Sequence, residues 1–336
     1  MKRLELTLSS DYVPTWTIVD AIRELFQNAI DQGRYTWSYA DETLTLTNWD
    51  AALTTKTLLL GSTTKREDDA KIGQFGEGYK IATLVLLRES KGVEIRTGDE
   101  VWQPRFVKSR RYCSSVLTFF IDKAPTYSPD LVVTVTGLTE DEWELIAASN
   151  LAIRNDHRVL HQTPIGQILD LPGHVFVGGL LIKIYSPYTY GYNFNPGVLS
   201  LDRDRKLVSD FDLKWIAARM WSYTEGAETE ILGLLMMDAA DVMYLPDLGS
   251  TPRLEQTALE NFVEQYGEYA IPVSTQLEVE SAPANYKTVV VPESLKRIIQ
   301  RVMDISRGTT RFERWLEKYE HLLPPGAVDE LKDIIG

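Results

Sequence analysis

Apolar and polar positions alternate along this chain in two rhythms, and the rhythm changes near the middle. Leu4, Leu6 and Leu8 alternate with polar neighbours and predict a strand over 3–8. Ile18, Val19, Ile22, Leu25, Phe26, Ala29 and Ile30 recur at helical spacing and predict a helix over 15–32, with Gly33 as its stop. Thr43-Leu-Thr-Leu-Thr47 reads as a strand, and 78–88 as a second, buried helix. Strand patterns follow at 92–97, 101–108, 115–121 and 131–136. Thr139 and Glu142 have the spacing of a capping box at the start of another helix. Helices mixed with an antiparallel sheet in this order predict an α+β fold with the helices on one face.

Beyond residue 150 the signals change character. Residues 175–184 predict a hairpin turning at Gly178-Gly179. Asn193–Gly197 reads as a turn, Val198–Leu201 as a short strand and Asp212–Tyr223 as a helix. Helices are expected near 227–240 and 253–267, and strands near 270–274 and 287–291. The last forty residues read as amphipathic helices broken at Pro324-Pro325. The expected division is 1–150, 151–225 and 226–336.

Composition narrows the function classes. A chain of 336 residues is long for a single core, so more than one domain is expected. A formal charge of −13 argues against adhesion to nucleic acid through the whole surface. The single cysteine, Cys113, excludes an internal disulfide and a multi-cysteine zinc site, which suits a reducing cytoplasm. Charges in the first residues interrupt any signal-peptide core, and no stretch approaches the ~20 apolar residues of a membrane span. His157 and His161 are spaced for one helix face, but two ligands make a weak metal site. The aromatics Trp102, Tyr112, Tyr188, Tyr190 and Tyr192 lack a basic groove, so core and turn roles are favoured over stacking on single strands. The basic cluster Arg105, Lys108, Arg110 and Arg111 reads as a solvated face.

Two segments carry candidate chemistry. In Glu24-Leu-Phe-Gln-Asn28-Ala-Ile-Asp31 the polar residues are four and three apart and share one helix face. Glu24 could orient or deprotonate a water opposite a leaving phosphate. Asn28 could complete a magnesium shell, since that ion prefers oxygen ligands and keeps several waters. Asp31 could hold a water or a nearby backbone group. The second segment, Lys71-Ile-Gly73-Gln-Phe-Gly76-Glu-Gly78-Tyr-Lys80, offers bare backbone N–H groups ahead of a helix, which suits phosphate oxygens. Lys80 sits in the first turn and could approach a phosphate or lie exposed. A polar stretch from Ser62 to Ala70, including Lys65, precedes the glycines as a lid would. Each motif alone has a bland reading, a solvated stripe or a set of turns; their combination points to an ATPase.

Together these segments resemble the GHKL ATPase superfamily, whose members include DNA gyrase, the ninety-kilodalton heat-shock chaperone, histidine kinases and the mismatch-repair protein MutL. The chaperone branch is most similar, over residues 18–88. The chain also resembles a family of uncharacterised phage and bacterial ATP-binding proteins over most of its length, which would place it in a bacterial host cytoplasm. The resemblance implies a Bergerat-type α/β sandwich followed by an α/β transducer-like domain and a small helical C-terminal region. It implies ATP and Mg²⁺ as ligands, Glu24 as general base, Asn28 as the magnesium residue, Asp31 in the pocket, and Gly73, Gly76 and Gly78 in the phosphate loop. One box departs from the pattern. The superfamily places an aspartate after a strand to accept the adenine amino group, and here Asn48 falls in that register, with Asp50 as the alternative. Glycines expected next are Ala51 and Ala52. In the second domain Arg205 resembles an arginine that reaches the terminal phosphate, with Arg203 and Lys206 as substitutes.

The implied activity is slow, gated ATP hydrolysis driving domain closure or ATP-dependent homodimerisation, acting on an unknown protein partner. Two rivals stand beside it: a nucleotide sensor without turnover, and a DNA-transaction ATPase of the MutL or gyrase kind. Net charge and the absence of a recognisable nuclease or cleavage motif weigh against the latter. A histidine-kinase role ranks below both, because no phosphoacceptor histidine helix precedes the domain.

Overall fold

A computed structural model describes residues 1–58, 78–110, 113–199, 209–282 and 286–303. The architecture is mixed α+β. Two compact units are drawn from the chain, one within Met1–Val159, Leu169–Ile184 and Tyr192–Val208, the other within Leu160–Ile168, Tyr185–Gly191 and Ser209–Gly336.

The first unit opens with β1 (Lys2–Ser9) and α1 (Ile18–Gln32). The helix begins at 18 rather than 15 because Thr17 caps it. Its hydroxyl accepts from Asp20 N–H, and Asp20 Oδ2 in turn accepts from Thr17 N–H at 2.9 Å. Gly33, at φ 105°, ends it. A strand the periodicity did not reveal comes next, β2 (Tyr35–Ala40), paired with β3 (Thr43–Asn48). The two-residue turn between them, Asp41-Glu42, has φ of 49° and 55°. A turn of this kind favours Asn-Gly, and its absence hid the hairpin.

A 3₁₀ turn over Thr55–Leu58 follows, then α2 (Gly78–Arg88) with the bounds the pattern predicted. The four strand patterns that come after fuse into two long strands, β4 (Gly92–Lys108) and β5 (Ser115–Thr136). They form one hairpin whose register shifts at Thr97, Gly98 and Glu100. Irregular register, not a chain break, produced the apparent gaps. One half of β5 pairs with β1, the other with β3, and β4 runs along its opposite side. α3 (Glu140–Ala148) starts at Thr139, with the expected capping box to Glu142.

Alternation sets the layers. Leu44, Leu46, Val93, Ile95, Leu131, Val133 and Val135 point inward from the strands. They meet Ile22, Leu25, Phe26, Leu84 and Val85 from α1 and α2 in one buried core. Tyr39 stacks on Trp143 of α3, ring centroids 4.2 Å apart, which seats that helix over β2.

Along the rest of the chain run β6 (Val159–Thr163), β7 (Gly166–Leu169), β8 (His174–Val177), β9 (Leu180–Ile184) and β10 (Gly191–Phe194). In the first unit β8 and β9 form the expected hairpin, with Gly178 at φ 57° and Gly179 at φ 83°. β10 lies parallel to β8, so Asn193 and Phe194 belong to a strand and only the residues after them turn. Val198 and Leu199 are not in a strand. In the second unit α4 (Asp210–Ser222) is capped by Ser209, and α5 (Glu228–Met236), α6 (Leu245–Leu248) and α7 (Pro252–Tyr266) follow. β11 (Ala270–Val273), α8 (Gln276–Ser281) and β12 (Lys287–Val290) lead to a helical stretch over 293–303. β11 and β12 pair in parallel. Among the described residues no helix is long and apolar enough to cross a membrane.

Candidate functional site

The site residues sit where α1 meets the start of α2. Glu24 is buried, 3% exposed, on the face of α1 turned from solvent. Asn28 lies one turn further on and donates its Nδ2 to the Glu24 carbonyl at 2.8 Å. That bond fixes the asparagine side chain along its own helix. Gly78, the first residue of α2, comes close to both. A β-carbon there would lie 2.7 Å from Asn28 Nδ2 and 2.9 Å from Glu24 Oε2. Only glycine fits without displacing one of them. A carboxylate, an amide and the glycine that opens α2 therefore converge.

Asp31 is half-buried at the end of α1. Its charge bears on Tyr79, the second residue of α2, whose hydroxyl accepts from Gln32 Nε2 at 3.1 Å. Burial pushes the Tyr79 phenol well above its ordinary range; the Gln32 bond works weakly against this, and Asp31 adds to it. Tyr79 thus stays neutral and ties the two helices together next to the convergence.

The strand side of the site is a row in register. Asn48 pairs with Leu131, and Leu131 pairs with Thr97, so three buried side chains from β3, β5 and β4 lie side by side on one face of the sheet. Asn48 Nδ2 donates to the Ala29 carbonyl at 2.8 Å. An aspartate could not make that bond, which gives a local reason for asparagine at this position. Thr97 Oγ1 accepts from Leu53 N–H at 2.7 Å and lies 3.3 Å from the Leu53 carbonyl. Asp50 differs from Asn48: it is exposed, at φ 53°, and its N–H donates to Asp130.

Lys80 is buried rather than exposed, and its Nζ donates to the Thr57 carbonyl at 3.3 Å. Thr97 and Lys80 together pin residues 53–57 against the unit. Gly73, Gly76, Lys65, Arg203, Arg205 and Lys206 lie outside the described residues.

The structure thus brings Glu24, Asn28 and Gly78 together, with Asp31 and Asn48 on the flanks and Asp50 at the surface. Sequence reasoning missed Thr97, Tyr79 and Gln32. Thr97 carried a faint signal, a polar residue at an inward position in the alternation Val93, Ile95, Thr97. His157 and His161 are not on a helix. His161 lies in β6, where its Nε2 is 2.7 Å from Glu230. Among the described residues no group of three or more His, Cys, Asp or Glu could hold a metal ion. Of the aromatics considered for stacking, Trp102, Tyr188 and Tyr192 are buried.

No family model matches the chain. An uncharacterised protein of Mycoplasma pneumoniae is 22% identical over 228 residues, a stretch covering 62% of this chain and 92% of that protein.

Proposed function

We propose that the first unit is a Bergerat-type domain that binds ATP with magnesium and hydrolyses it between α1 and α2. One observation carries this reading: Glu24 and Asn28 crowd the side-chain position of Gly78 at the start of α2. Helix starts attract phosphate oxygens through free N–H groups and the helix dipole. A carboxylate beside one is not there for phosphate, which it repels; it is placed to take or orient the proton of an attacking water. Asn28 supplies an amide of the kind magnesium accepts, and magnesium needs few protein ligands when phosphates and waters provide the rest. When bound, the ion would neutralise charge developing on the phosphate oxygens.

The chain's own residues divide the remaining work. Glu24, held in a buried position, orients water. Asn28 is steadied by its bond to the Glu24 carbonyl. Asn48 is favoured over Asp50 for the base end of the nucleotide, because Asn48 is buried in the row with Thr97 while Asp50 faces solvent. Tyr79 and Gln32 keep α1 and α2 in register.

The test is magnesium-dependent ATP hydrolysis and nucleotide binding, wild type beside Glu24→Gln. A general base contributes about 10²–10⁴-fold, so turnover should fall by that factor while binding persists. Equal turnover in the two proteins would remove Glu24 from the mechanism. Binding without turnover in the wild type would make the chain a sensor instead.

A further inference from the structure

Among the described residues the strand order β1-β5-β3-β2, with β4 along β5, leaves β1, β2 and β4 with free edges. Two of these edges are protected in the usual ways. β4 carries Pro104, the irregular register at Gly98, and the charges of Glu94, Arg96, Arg105 and Lys108. β1 carries Lys2, Arg3 and Glu5 and a register shift between Glu5 and Ser9. β2, Tyr-Thr-Trp-Ser-Tyr-Ala, has no charge, no proline and no bulge.

Its open hydrogen-bonding groups follow from the register. Trp49 N–H donates to the Arg34 carbonyl at 3.0 Å, so residues 34, 36, 38 and 40 direct their backbone groups to β3. Tyr35, Trp37 and Tyr39 therefore direct theirs to the free edge, where they meet no backbone partner among the described residues. Thr36, Ser38 and Ala40 are exposed on the outer face, and the three aromatic side chains are half-buried on the other.

We propose that β2 pairs antiparallel with β2 of a second copy of this chain, about a two-fold axis through Trp37. The occupant is read from the strand itself. Tyr35-Thr-Trp-Ser-Tyr39 is a chemical palindrome. Two-fold pairing sets Tyr35 opposite Tyr39 of the second copy, Thr36 opposite Ser38, and Trp37 opposite Trp37. Every edge-facing backbone group then finds a partner, the aromatics form cross-strand pairs, and small hydroxyl residues meet on the outer face. The same register sets exposed Arg34 opposite exposed Ala40 of the second copy, so no like charges meet across the pairing. An unrelated partner strand would not need the palindrome. The pairing is independent of nucleotide binding.

The test is sedimentation over a range of protein concentrations, without nucleotide. Three proteins are compared: wild type, Thr36→Lys/Ser38→Lys, and Thr36→Glu/Ser38→Lys. The first double variant sets lysine against lysine twice across the axis. The second sets glutamate against lysine twice. Both substitutions lie on an exposed face, and a thermal midpoint close to wild type checks that the unit stays folded. A wild-type dimer that the double lysine weakens by about tenfold or more, and that the glutamate–lysine variant retains, is the expected result. A wild type monomeric at every concentration overturns the proposal. So does a dimer that the double lysine leaves intact, or one that both variants abolish alike while folded.

Discussion

Two clusters of polar side chains, one in each unit and each built on one buried charged residue, use similar groups to opposite ends. In the second unit Lys296, 7% exposed, donates to Ser274 Oγ at 2.8 Å, Glu278 Oε1 at 2.7 Å and Glu293 Oε2 at 2.6 Å. Its three protons have three acceptors, and its charge lies between two carboxylates. Ser274 closes the ring by bonding to Glu278 and Glu293. All three donors of the lysine are used within the cluster, which ties α8 and the end of β11 to the helix over 293–303. In the first unit Glu24 and Asn28 converge instead on Gly78, the glycine that opens α2. Burial of charge alone does not mark a function. The difference lies in whether the donors and acceptors close on one another or face a position that only a hydrogen atom can occupy.

The largest expected effect breaks the first cluster. Gly78→Ala would place a methyl group within 2.7–2.9 Å of Asn28 Nδ2 and Glu24 Oε2, so both side chains must move. Displacement near 1 Å at a reacting centre costs about 10²-fold in rate. ATP turnover should fall by about that factor, with the thermal midpoint little changed because Gly78 is not at a positive φ. Steady-state kinetics beside calorimetry checks it; full activity would mean the contact has no bearing on catalysis.

Asn48→Asp probes the rim of the same site. It removes the donor to the Ala29 carbonyl and sets a carboxylate oxygen in its place. Leaving that buried carbonyl without its partner costs about 1–3 kcal/mol. The thermal midpoint should drop by about 2–8 °C in consequence. A variant as stable as wild type would show that asparagine is here for another reason, and nucleotide affinity would then be the property to compare.

How far these clusters could be read from sequence follows their geometry. Glu24, Asn28 and Gly78 were legible because each belongs to a motif with internal spacing, a helix face or a glycine run preceding a helix. α2 was read to its bounds from its apolar pattern, and α1 missed only its start, where Thr17 caps instead of coiling. The Lys296 network was not legible. Ser274 and Glu278 lie far in sequence from Glu293 and Lys296, and nothing local marks a lysine as buried. Thr97 shares the problem, since only strand register places it beside Leu131 and Asn48. β2 was hidden by a turn of Asp-Glu, and the edge it exposes had no signal at all until its hydrogen-bonding direction was known.

The smallest effect sharpens the contrast through pH. The bond from Lys296, helped by the Ser274 N–H, holds Glu278 down to about 2 from an ordinary value of 4.5. Burial alone would lower the Lys296 pKa, but the bonds to Glu278 and Glu293 outweigh it and raise the group above its ordinary value. A carboxylate held low in the folded state lends stability above its unfolded value and loses it as pH falls through the folded one. A lysine held high lends stability below its unfolded value and loses it only as pH rises through the folded one. The network should therefore be intact from about pH 5 to 10 and should weaken steadily from about pH 4.5 to 2. Lys296→Met leaves two glutamates facing each other without their cation, and at pH 7 should lower the thermal midpoint by a few degrees, about 3–6 °C. Because protonation of Glu278 removes the same interaction in the wild type, the gap between the two proteins should close as pH falls towards 2. The carboxyl introduced by Asn48→Asp regains a donor for the Ala29 carbonyl when it protonates, so that deficit also shrinks at low pH and the comparison rests on Lys296→Met beside wild type. Scanning calorimetry of these two proteins at pH 3, 5 and 7 checks it: a Lys296→Met deficit that stays constant with pH would mean the lysine contributes through packing of its stem and not through its charge.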